Sequence, residues 1–128
     1  MKKIYKKLLK KAKEVLKNSY SPYSKFKVSS SLITEEGKIF TGVNVENASY
    51  GLTICAERVA IFKAVSQGYK NIKAILVYAD KNPCYPCGAC LQVMSEFNKN
   101  MKILIFDGKN IIENELKDLL KKPYNKLF

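Results

Sequence analysis

The chain is 128 residues long, 47% hydrophobic and strongly basic, with a net charge of +12 and no histidine. That length gives room for one domain with a real core and not for two, so residues 1–128 are expected to form a single unit. No apolar run approaches the roughly 18 residues of a membrane span, and the missing histidine removes the side chain most used for proton transfer near neutral pH.

In chain order, Ile4, Leu8, Ala12, Val15 and Leu16 recur at helical spacing between lysines, which predicts an amphipathic first helix ending near Asn18 and Ser19. The lysines are scattered through this start rather than gathered ahead of an apolar block. That argues against a secretory leader and for the cytoplasm. Phe26 to Thr34 and Ile39 to Asn44 read as strands joined by a hairpin at Glu35, Glu36 and Gly37. Cys55 to Gln67 is helical in pattern with Gly68 as its stop, and Ala74 to Ala79 is a buried strand. Ala89 to Phe97 reads as a short helix, Lys102 to Phe106 as a strand and Glu113 to Leu120 as a closing helix. The order α-β-β-α-β-α-β-α predicts an α/β protein, a mixed sheet with helices on its faces.

The positive charge is spread along the whole chain, which reads as a solvated surface and predicts no nucleic-acid partner. The apolar stripe of the first helix is narrow and lacks Trp, so no membrane-surface role is expected either. A zinc-stabilised nucleic-acid-binding module is the competing reading that the charge keeps open.

Four cysteines, three of them at 84, 87 and 90, look like metal ligands rather than a disulfide framework. A catalytic zinc takes three protein ligands and leaves a fourth position open. Pro86-Cys87-Gly88-Ala89-Cys90 brings two thiols to the start of one helix, and Cys55 opens another. At helix starts the unpaired N–H groups and the macrodipole favour anionic sulfur. Glu57, two residues from Cys55, can reach a water on such an ion without ligating it. Cys84 precedes Pro86 and falls outside the helix start, so it is expected to be a bystander. A closed structural site made by all four cysteines is the bland alternative, but it would need no carboxylate beside a ligand.

CAE at 55–57, with PCGAC following so that Cys87 lies 32 residues after Cys55, is similar to the zinc-deaminase signature. With SPYSKFKV, GVNVENASYGLTICAERVAIFKAVSQGY and PCGACLQVMSEF, the chain resembles the small homotetrameric cytidine deaminases along nearly its whole length. The resemblance implies a three-layer α/β/α fold with a mixed five-stranded sheet, one zinc per subunit on Cys55, Cys87 and Cys90, and Glu57 as the proton shuttle. It further implies that Phe26 stacks on a pyrimidine, that Asn44 and Glu46 bind ribose hydroxyls, and that the Ala56 backbone helps hold the pyrimidine edge. Tyr50 would lie near an active site formed between subunits, and Arg58 and Gln92 would support the ligands.

The implied reaction is hydrolysis of cytidine and deoxycytidine to uridine and deoxyuridine plus ammonia, for pyrimidine salvage. A deaminase of a cytosine-containing antibiotic keeps the same chemistry on another substrate. An acidic Glu46 at the sugar end would repel a phosphate and favour free nucleosides. Three thiolates and a hydroxide overload a divalent ion with negative charge, which Arg58 and two helix dipoles would offset.

The sequence departs from the family at Leu91, where PCGACRQ in most relatives supplies a second arginine. The site is therefore expected to run with a single guanidinium, with more basic sulfurs and a less electrophilic zinc. It also departs at the serines of SSSL, 29–32, where relatives tend to have small apolar residues. The tail, LLKKPYNKLF, matches only loosely the end of the family, whose Phe reaches a neighbouring pocket, so the resemblance does not fix that role on Phe128.

Overall fold

One mixed sheet organises the chain in the computed structural model, which describes residues 2–125. Its strands are β1 (Val28–Thr34), β2 (Ile39–Val43), β3 (Ile72–Ala79), β4 (Lys102–Phe106) and β5 (Ile111–Glu115), ordered β2-β1-β3-β4-β5. Only β3 and β4 are parallel; the other neighbours are antiparallel. The helices are α1 (Lys3–Val15), α2 (Ala56–Ser66), α3 (Gly88–Phe97) and the single-turn α4 (Leu116–Leu119).

Strand alternation sorts the core into two layers, one on each face of the sheet. Ala74 and Leu76 of β3 and Leu104 of β4 face α1, where they meet Leu8 and Ala12. Ile75, Val77, Ile103 and Ile105 point the other way and pack with Ala60, Ile61, Ala64, Leu91 and Met94 of α2 and α3. The architecture is therefore α/β/α in three layers, with α1 alone on one side. Both cysteine-bearing helices lie on the other.

Local signals explain most boundaries. The β1–β2 turn closes at Gly37, whose φ of +89° suits glycine. Gly68, with φ +93°, ends α2 in a Schellman arrangement, its N–H bonding Val65 O while that of Tyr69 bonds Ala64 O. Gly42 of β2 is there for a different reason, which is space. A Cβ added to it would lie 2.4 Å from Ala56 O and 2.5 Å from Ala60 N, so the first turn of α2 sits directly on the strand.

Two expectations from the sequence need correction. The closing helix does not begin at Glu113. Residues Ile111–Glu115 pair antiparallel with β4 as an edge strand, and only Leu116–Leu119 coil. The reversal is made by Asp107, whose Oδ1 accepts the N–H groups of Lys109 and Asn110, and by Gly108 at φ +102°. The first strand starts at Val28 rather than Phe26, because Lys25 has φ +61° and the chain is still turning there.

Buried serines fasten α1. Ser29 Oγ and Ser31 Oγ, on the same face of β1, donate to Ala12 O and Leu8 O at 2.7 Å each, and Ser30 Oγ donates across to Leu76 O at 2.8 Å. All three hydroxyls are fully buried and all are satisfied, as buried polar groups must be. At the far end of the helix, Tyr5 donates its hydroxyl to Glu113 on β5.

Candidate active site

Cys55 and Cys87 occupy equivalent places, each the extended residue that caps a helix, α2 and α3 respectively. Cys90 follows in the first turn of α3. The Sγ atoms of Cys55, Cys87 and Cys90 all lie within 4.8 Å of one another, with Cys55 and Cys87 3.9 Å apart. Two helix N-termini thus converge on three sulfurs, and their dipoles favour negative charge at that point. Cys84 is outside the group. It packs against the larger core, and burial pushes its thiol up to about 11, which suits a bystander.

The surroundings of the three thiols are strongly polarising. Hydrogen bonding to Cys90 first, and then Arg58, holds the Cys55 thiol well below its ordinary value, and the same contact with Cys55 raises Cys90. Arg58 donates from Nη2 to Cys55 Sγ at 3.4 Å, while its buried Nε has no partner among the described residues. Glu57 is 4% exposed on the second residue of α2, and burial pushes its carboxyl up to about 7. A carboxyl at that value can both take and give a proton near neutral pH. Three soft sulfur donors on rigid helix starts, beside a buried acid that does not ligate, fit a zinc ion with an open position.

The residues expected to hold substrate form a connected unit. Asn44, nearly buried, accepts at Oδ1 from Ser19 Oγ and from the Val28 N–H at 3.0 Å, and donates from Nδ2 to Phe26 O at 2.8 Å. Glu46 accepts at Oε1 from the N–H groups of Tyr23 and Ser24, at 3.0 and 3.1 Å, and at Oε2 from Ser24 Oγ. Those bonds, that from Ser24 Oγ foremost, keep its carboxylate below the usual range and so ionised. Asn44 and Glu46 therefore tie down the segment that carries Phe26. Sequence reasoning missed Ser19 and Ser24. Only the serine-rich SYSPYS turn hinted at them.

Tyr50 is 77% exposed in a 3₁₀ turn (Tyr50–Leu52) and meets the Tyr23 ring edge-on at 6.2 Å. Tyr23, Ser24, Glu46, Asn47, Tyr50 and Thr53 line an open cavity of about 360 Å³. Ala56, fully buried, begins α2 beside the sulfurs. Gln92 is directed elsewhere, both ends of its amide pairing with the Tyr124 main chain at 2.9 and 3.0 Å. Leu91 is 6% exposed within the larger core, so its side chain packs among apolar groups. Phe128 lies outside the described residues.

Residues 2–106 match the family model described as the cytidine and deoxycytidylate deaminase zinc-binding region. The chain is 47% identical over 109 residues to a cytidine deaminase of Sporosarcina psychrophila, covering 84% of this chain and 80% of that one. It is 52% identical over 90 residues to a cytidine deaminase of Halalkalibacterium halodurans, covering 70% and 68%. The solved structure of cytidine deaminase from Burkholderia pseudomallei superposes with a TM-score of 0.88 at 40% identity, covering 97% of this chain and all of that one.

Proposed function

The chain belongs to the cytidine and deoxycytidylate deaminase family, and on that premise we propose that it is a zinc-dependent hydrolase converting cytidine and deoxycytidine to uridine and deoxyuridine with release of ammonia. The observation that carries the reading is the set of three thiols within 4.8 Å beside the buried carboxyl of Glu57. Cys55, Cys87 and Cys90 would hold the zinc ion. When bound, the ion is a Lewis acid that makes water nucleophilic near neutral pH.

Glu57 is the proton carrier in this scheme. Its carboxylate takes the proton of the attacking water and gives it to the ring nitrogen beside the amino-bearing carbon. A carbon–oxygen bond forms there; the carbon–nitrogen bond then breaks, and Glu57 relays the second proton of that water to the departing amine. No other acid or base is needed, which is how a chain without histidine runs the reaction. Arg58 offsets the charge of the sulfurs and, with Leu91 in place of a second arginine, does so as the only guanidinium. The Ala56 backbone and the Phe26 ring would hold the pyrimidine, and Asn44 and Glu46 the sugar. An ionised Glu46 supports free nucleosides over nucleotides, because a phosphate brought near it would be repelled.

The reading extends to a single domain working in pyrimidine salvage in the cytoplasm and to a homotetramer with Tyr50 near a subunit boundary. The exposed Tyr20, Tyr23, Val45, Tyr50 and Leu52 support that assembly. Among the described residues no helix is long and apolar enough to cross a membrane.

The test is the loss of ultraviolet absorbance from cytidine on adding zinc-loaded protein, with Glu57→Ala as control. Turnover by the wild type and none by the variant is expected. Equal rates for both, or no turnover alongside salt-dependent retention on RNA, would overturn the reading in favour of a nucleic-acid-binding module.

A further inference from the structure

Ser24 takes no part in the chemistry above, yet it bonds both Glu46 and the main chain of Phe26. Its hydroxyl donates to Glu46 Oε2 and accepts the Phe26 N–H at 3.0 Å. Its own N–H donates to Glu46 Oε1 at 3.1 Å, next to that of Tyr23 at 3.0 Å. The hydrogen bonds that reach the Glu46 carboxylate among the described residues therefore all come from one turn. That turn is tightly determined. Lys25 N–H bonds Ser21 O at 3.0 Å, and Lys25 sits at φ +61°, a region that side chains other than glycine's resist. An unrestrained glutamate at the partly exposed edge of a cavity would sample several rotamers, and ordering it would weaken binding.

Resting on the functional reading above, we propose that Ser24 is a positioning residue for sugar recognition. Its hydroxyl and its N–H together fix the Glu46 carboxylate, so the group that meets the ribose is set in place before substrate arrives. Ser24 itself touches no reacting atom. Its effect is transmitted through Glu46, so it belongs in the Michaelis constant rather than in turnover.

The experiment compares zinc-loaded full-length wild type, Ser24→Ala, Ser24→Thr, Glu46→Gln and the Ser24→Ala/Glu46→Gln pair in steady-state assays with cytidine. 2′,3′-Dideoxycytidine, which has no ribose hydroxyl for Glu46 to hold, is added as a competing ligand. Ser24→Ala should raise KM for cytidine about tenfold with kcat within about twofold, and Ser24→Thr should restore most of the loss. The inhibition constant of the dideoxynucleoside should move less than about twofold, and Ser24→Ala should add little in the Glu46→Gln background. An unchanged KM in Ser24→Ala overturns the proposal. So does an equal loss towards both nucleosides, or full additivity with Glu46→Gln, since either would mean that Ser24 only stabilises its turn. A wild type that turns over cytidine while Ser24→Ala matches it sinks this inference alone; a wild type without turnover sinks the functional reading and this one with it.

Discussion

Arg58 reaches back one helical turn to Cys55, its Nη2 donating to the sulfur at 3.4 Å while Nε stays buried without a partner among the described residues. The guanidinium is thus aimed at one of the proposed ligands from within the same helix. Arg58→Ala should make Cys55 more basic and weaken zinc affinity about tenfold or more, as loss of a partner behind a metal ligand does in general. Chelator competition on the purified protein measures this directly. An unchanged affinity would mean that the helix dipoles suffice.

Gly42 predicts a steric failure. Because a Cβ there would lie within 2.5 Å of Ala60 N and nearer still to Ala56 O, Gly42→Ala must push the start of α2 away from β2. The expected cost is about 3 kcal/mol of stability, with loss of zinc from a displaced Cys55. Denaturant unfolding and metal content should fall together, and retention of both would show that the strand yields instead.

The serine ladder under α1 can be tested one hydroxyl at a time. Ser29→Ala and Ser31→Ala each remove a buried bond of 2.7 Å to a helix carbonyl while leaving the sheet intact. Each should cost about 1 kcal/mol, and the double variant should speed amide exchange in α1 before that in α2 or α3. Uniform exchange throughout the molecule would contradict a separately fastened helix.

Tyr5 supplies an alkaline signature. Burial, and then its bond to Glu113, raise its hydroxyl from the ordinary 10 to about 12. The folded state therefore prefers the neutral phenol. That contribution is complete below pH 10 and is lost as pH climbs from about 10 to 12. Tyr5→Phe should be slightly less stable than wild type at pH 8, by about 0.5 kcal/mol for so exposed a bond, and the two should converge by pH 12. Melting temperatures across that range decide it.

The cysteine pattern was legible because each ligand doubles as local punctuation. Cys55 and Cys87 precede helical stretches, so the spacing that names a metal site also places it at two helix starts. The stripe Leu8–Ala12 and the stop at Gly68 were readable for similar reasons of short range. β5 was not, because Ile111–Glu115 is an edge strand whose polar residues meet water and whose pattern merges into the Leu116 turn. Its only justification is pairing with β4. The web joining Ser19, Ser24, Asn44 and Glu46 spans more than twenty residues of separation, and nothing local in a serine reveals a partner that far away. Gln92, to which the family resemblance gave a supporting role, pairs through its amide with the Tyr124 main chain, another partner that nothing local in the sequence reveals.

The two caps that converge on the sulfurs come from segments 32 residues apart, with α2 and β3 between them. An ion held there would act as a clasp on a loop, removing from the unfolded chain much of the freedom it would otherwise recover. Folding and metal binding would then be coupled: the assembled sheet brings the two helix starts within reach of each other, and an ion bound there would in turn hold that topology.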